Sequence, residues 1–227
     1  MTKKEKKNLL QDIMISAKQY KKHLAGNIFM IIFDNNYIEV AFDNSRFAHL
    51  TGVEKTISAK RFYDNALKGT LRIEQFWCSP KHPHDLARRK LKVLSNLGEI
   101  FSHDGFVLED IATGRVVYKF GFTDLALTLC FGEDFDKQGN IKGPYFVIYS
   151  LRDGDTFSKT KQVHAIDYIF RKRNDEKLYS ELLLNNETAV LTDEIKLKIS
   201  NTTISSICRV EKDAIINKEL EDDVETA

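Results

Sequence analysis

The chain is poor in the residues that punctuate or cross-link a protein. It has 3 prolines, 11 glycines and 3 cysteines among 227 residues. So little proline and glycine excludes a collagen-like or low-complexity chain. Cys78, Cys130 and Cys208 are odd in number and widely spaced, which argues against a disulfide framework and for a reducing compartment. No apolar run approaches the ~20 residues that a membrane span needs. The charged N-terminus lacks the apolar core and cleavage site of a secretory signal, so the expected location is the cytoplasm. Net charge is missing too: 34 basic against 33 acidic residues leave +1, a balance that by itself points to no partner.

What the chain does have is core material and uneven charge. Apolar residues make up 42%, with 15 Phe and 8 Tyr, a globular composition. Residues 1–25 carry seven lysines against two acids, and residues 211–227 carry seven acids against two lysines. A basic head and an acidic tail of this kind read first as solvated ends.

Hydrophobic spacing divides the chain. Leu9, Leu10, Ile13, Ala17, Tyr20 and Leu24 recur at helical intervals across 5–24. Two β-rich runs, 27–33 and 37–42, flank Asp34-Asn35-Asn36 and predict a hairpin. Helical patterns follow around His49, from Ser58 to Leu67 and from Asp85 to Phe101. From residue 103 strands are expected at 106–111, 115–122, 125–131, 144–152 and 162–172. Residues 175–184 predict a further helix. The expected fold class is α+β: N-terminal helices packed on an antiparallel sheet of four to six strands. The expected organisation is a basic amphipathic helix (1–25), an α+β domain (26–185), a β-leaning extension (186–210) and an acidic tail (211–227).

The densest local signal is Phe47-Ala48-His49-Leu50-Thr51-Gly52-Val53. Asp43, Asn44 and Ser45 offer N-caps, and Gly52 offers a left-handed stop. The turn would hold a titratable imidazole on a rigid support, which suits acid–base chemistry near neutral pH. This turn, with Ser58, Phe62-Tyr63, the Arg88–Leu97 helix, Tyr118-Lys119 and the Tyr145–Arg152 block, resembles the phage-type branch of the barnase–EndoU–colicin–RelE-like endoribonuclease superfamily. The likeness is greatest to its fourth phage family and spans roughly residues 20–175. It implies a metal-independent RNase of phages, mobile elements or toxin systems. RNA would be the substrate, an inhibitor or antitoxin protein a further partner, and no cofactor or membrane would be needed. The superfamily keeps no invariant catalytic set, so only the His-Leu-Thr-Gly positions carry over.

Metal-independent RNA cleavage needs a base for the ribose 2′-OH, an acid for the leaving 5′ oxygen and cations for the phosphate. His49 is the first candidate. Lys119, with Arg115 on the same strand face, and Ser150 with Arg152 supply the expected cations and a hydroxyl. Thr51, Arg88, Arg89, Lys90 and His164 are the expected substrate contacts. Each has a plainer reading, as an edge charge, a solvated helix face or a surface strand residue. Cys78-x3-His82-x-His84 has metal-type ligands but no fourth ligand nearby, so it reads as a polar loop and no metal is expected. The competing function is a non-catalytic RNA- or protein-binding module on the same fold.

Overall fold

The computed structural model describes residues 2–114, 116–186 and 190–207, with the side chains of residues 98, 99 and 153 set aside. Helix α1 (Lys3–His23) starts in a capping box, Thr2 with Glu5, and buries Leu9, Ile13, Ala17 and Tyr20. A hairpin of β1 (Asn27–Phe33) and β2 (Asn36–Ala41) follows, its turn formed by Asp34 and Asn35 at positive φ. Helix α2 (Phe47–Thr51) ends at Gly52. The short strands β3 (Glu54–Lys55) and β4 (Phe76–Trp77) pair with each other and flank α3 (Ala59–Lys68). Ser58 caps α3, and Gly69 stops it at φ 73°.

Helix α4 (His84–Leu94) begins one residue before the expected Asp85, with Pro83 at its N-cap. It stops at Leu94 rather than running to Phe101, because Leu97–Ser102 tightens into a 3-10 turn. The remaining strands are β5 (Phe106–Thr113), β6 (Val116–Thr123), β7 (Leu127–Phe135), β8 (Ile141–Asp153), β9 (Gln162–Ala165), β10 (Tyr168–Arg173) and β11 (Glu181–Asn185). Helix α5 (Asp193–Lys196) and a helix over 201–207 close the described chain.

One nine-stranded sheet has the order β11-β10-β1-β2-β8-β7-β6-β5-β9. The expected sheet of four to six strands is therefore too small. It is also not wholly antiparallel, because β2 and β8 pair in parallel. Two further expectations change. Residues 181–185 form an edge strand on β10, not a helix. The stretch read as β-leaning, 186–210, contains the two C-terminal helices; Leu191, Ile195, Ile199 and Ile207 bury against β1 and β10. Arg115, Cys208 and the acidic tail lie outside the described residues.

The sheet closes on itself. Strand β9 pairs with β5, and after Ile166 and Asp167 the same segment pairs with β1 as β10. The Asp167 amide donates to the Ile32 carbonyl (2.9 Å), and His164 Nδ1 lies 2.6 Å from Asp34 across the seam. Inside this circuit stands Phe101, its ring 4.4 Å from Phe29, 4.9 Å from Phe122 and 5.9 Å from Phe42 between centroids. One side chain thus joins β1, the end of β2 and β6. Phe101→Ala should cost about 3–5 kcal/mol in a denaturant unfolding experiment. A loss under about 1 kcal/mol would show that the circuit does not depend on it.

Candidate nucleic-acid interface

The motif around His49 is buried except at the imidazole. Phe47, Ala48, Leu50 and Thr51 are all sunk in the core, while His49 is exposed. Asp43 accepts the Ser45 amide at 2.5 Å and caps the preceding 3-10 turn (Asn44–Arg46). Thr51 donates its hydroxyl to the Ala48 carbonyl at 2.7 Å. That hydroxyl is spent inside the turn, so Thr51 positions His49 rather than contacting substrate.

Gly52 sets what lies beside the turn. Its φ is 70°, and a Cβ there would sit 3.0 Å from Lys90 Cδ and 3.4 Å from Ala87 Cα. The absence of a side chain lets α4 pack directly on α2. Lys90 is thereby laid over Gly52, three residues along the chain from His49. The His49 pKa is held below the ordinary 6.5, first by partial burial and then by the charges of Lys55, Arg46, Lys90 and His82.

On its other side Lys90 faces a pocket of about 300 Å³ between α4, β8 and the 154–160 loop. Arg89, Lys90, Ser150, Arg152, Thr156 and Lys159 supply its polar lining, and no carboxylate stands among the described residues that line it. Lys90 is pulled below the ordinary lysine value, by burial first and then by Arg152. The Arg152 guanidinium lies 5.6 Å from the Tyr118 ring centroid, and its buried Nε has no hydrogen-bond partner. Behind it, burial raises the Cys130 thiol to about 11, while Arg152 pulls the other way. The loop is braced: Thr156, a β-branched residue at φ 59°, bonds Thr128 at 3.2 Å, and Thr128 donates to the Gly154 carbonyl at 2.7 Å.

The structure thus brings together Ser150, Arg152, Arg89 and Lys90, and His49, on the helix that α4 packs against, feels the charge of Lys90 after those of Lys55 and Arg46. It does not bring in the others. Arg88 leaves the opposite side of α4, toward Glu5 and Asp12 on α1. Lys119 is largely exposed and paired with Asp110 at 3.8 Å. His164 is held between Asp34 and Glu109 at the barrel seam. Thr156 and Lys159 were not expected; nothing in Gly154-Asp155-Thr156 says that this loop folds back onto a helix 60 residues earlier. Of the suspected metal ligands, His82 turns to Glu54 and His84 to Asp85, each at 3.7 Å. No cluster of three His, Cys, Asp or Glu residues fit to hold a metal stands among the described residues.

In an NMR titration the His49 ring should show a midpoint below 6.5. Lys90→Met should raise that midpoint without restoring it fully, because burial is the larger cause. A midpoint that ignores Lys90→Met would separate the imidazole from the pocket.

No helix among the described residues is long and apolar enough to cross a membrane. Searches against curated proteins and against solved structures gave no match. A family model, phage-Barnase-EndoU-ColicinE5/D-RelE like nuclease4, matches residues 12–188. That span runs from α1 past β11 and holds His49, α4 and every residue that lines the cationic pocket. With more than half of its length matched, the chain belongs to the phage-Barnase-EndoU-ColicinE5/D-RelE like nuclease4 family.

Proposed function

We propose that this family member is a metal-independent endoribonuclease that cleaves RNA by attack of the ribose 2′-OH. One observation carries the reading: Lys90 and Arg152 line one pocket, with no carboxylate among its described lining residues, and the charge of Lys90 also reaches His49. Two neighbouring cations left unneutralised cost electrostatic energy that an anion would recover. A phosphodiester supplies that anion, and the nuclease family makes it the natural choice.

In this mechanism His49, neutral at pH 7, takes the 2′ proton. The 2′ oxygen attacks the adjacent phosphorus, and the bond to the 5′ oxygen breaks. Lys90, more acidic than an ordinary lysine, gives its proton to that leaving oxygen. Arg152 and the Ser150 hydroxyl hold the non-bridging oxygens, with Lys159 at the rim. The products are a 2′,3′-cyclic phosphate and a 5′-hydroxyl. DNA lacks the nucleophile and would not be cut. An inhibitor protein, if one accompanies the enzyme, would act by covering this pocket.

A second reading has one observation in its favour. His49 feels the charge of Lys90 but is not part of the pocket lining. A non-catalytic RNA-binding module would need only the cations.

The test is incubation with structured cellular RNA in chelator, with end-group analysis. Fragments ending in 2′,3′-cyclic phosphate are expected. His49→Ala should cut the rate about 10²–10⁴-fold, the usual worth of a general base. Its stability should stay within roughly 1 kcal/mol of wild type, because the buried neighbours hold the turn. Arg152→Ala should lower kcat more than it changes KM. RNA binding with a steep salt dependence and no cleavage would favour the module.

A further inference from the structure

The chain's one tryptophan is not used by the core. Trp77 is 42% exposed on the two-residue strand β4, beside Phe76, which is fully buried and anchors that strand. Among the described residues no aromatic ring or cation packs on the indole, although edge-on and tilted pairs join many of the other rings. Its cross-strand partner is Glu54 on β3, so the two side chains share a face. Glu54 accepts the Ser79 hydroxyl at 3.3 Å and stands 3.7 Å from His82 Nε2. His82 is in turn one of the charges that depress His49, as is Lys55 on the same short strand as Glu54. An exposed indole, with Glu54, Ser79 and His82 beside it, therefore stands on a ribbon that begins two residues after Gly52.

We propose that the β3–β4 ribbon is a base-stacking platform for single-stranded RNA, with Trp77 as the ring on which an unpaired base lies. The proposal rests on the endoribonuclease reading for the direction of the strand: one phosphate in the Lys90–Arg152 pocket, the ribose at His49 and a flanking base on Trp77. An indole face suits any base, so the platform favours unpaired RNA over duplex and selects weakly among sequences. A small rigid ribbon pinned by Phe76 presents the ring at little entropic cost.

Because Trp77 is the only tryptophan, its fluorescence reports on the platform directly. The probe is a short 2′-O-methyl RNA, which binds but has no free 2′-OH to attack, followed by fluorescence and by anisotropy of a dye on the RNA. Saturable quenching is expected with the single strand and not with the same sequence as a duplex. Trp77→Ala should weaken binding about tenfold, within the range for one stacked base, and Trp77→Phe should restore most of it. Both variants should melt within a few degrees of wild type, since the ring is not core. Binding with no quenching and with unchanged affinity in Trp77→Ala would overturn the platform while leaving the nuclease reading intact. Absence of any RNA binding by anisotropy would overturn both. Quenching by a protein from the same host but not by RNA would make Trp77 a protein-docking residue and overturn the proposal.

Discussion

Everything proposed for this protein depends on the close approach of two helices at a single glycine. Gly52 ends α2 in the left-handed region and has no Cβ to hold α4 away. Any other residue there would meet both backbone strain and the stem of Lys90. The contact fixes three things together: the exposed position of His49, the path of Lys90, and the wall that α4 builds against the end of β8. The buried residues on either side, Phe47, Leu50 and Thr51, make the turn rigid without involving the imidazole. A histidine held this way loses little entropy when it acts.

The pocket differs from the rest of the molecule in how its cations are treated. Several cations elsewhere are matched by carboxylates, although the buried Lys172 meets the Lys177 carbonyl and the Tyr145 and Tyr179 rings instead. Arg46 and Lys142 share Asp134, Arg171 clasps Glu181 through two hydrogen bonds, and Lys198 pairs with Glu39. At the barrel seam His164 stands between two carboxylates. Lys90 and Arg152 are instead set against each other, with the Tyr118 face and a neutral thiol as company. Two cations set side by side at a cavity, with no carboxylate among its described lining residues, leave room there for an anion. The left-handed Thr156 in the bracing loop points the same way, since strained backbone tends to persist where a site needs it.

Local signals were readable from the sequence, and long-range ones were not. Ser58, Gly52 and Gly69 cap as expected because capping depends only on neighbours along the chain, whereas Asp43 caps the 3-10 turn ahead of α2 and not α2 itself, whose N-cap is Arg46. The alternation of strands after residue 103 was legible for the same reason. Closure of the sheet was not, since it turns on one bent segment, 162–173, that changes partner at Ile166. The parallel contact of β2 with β8 joins residues about a hundred positions apart and leaves no local mark. The C-terminal helices were misread because Ile195, Leu197 and Ile199 alternate like a strand, whereas burial against β1 decides their conformation. In the site, helical geometry turns Arg88 away from the pocket that Arg89 and Lys90 line, which a basic run alone does not resolve. Ser150 and Arg152 were paired correctly by strand period; Lys119, given the same logic, found a carboxylate instead.

The central claim is that His49 and the Lys90–Arg152 pocket act on one phosphate. The most direct measurement follows the His49 ring and the Arg152 Nε–H by NMR in chelator while a 2′-deoxy dinucleotide, which has no 2′-OH to attack, is added. Both signals should shift with a single midpoint, and both shifts should vanish at high salt. If Arg152 responds and His49 does not, or if the two follow different midpoints, then the histidine and the pocket are separate and the proposed chemistry has no site.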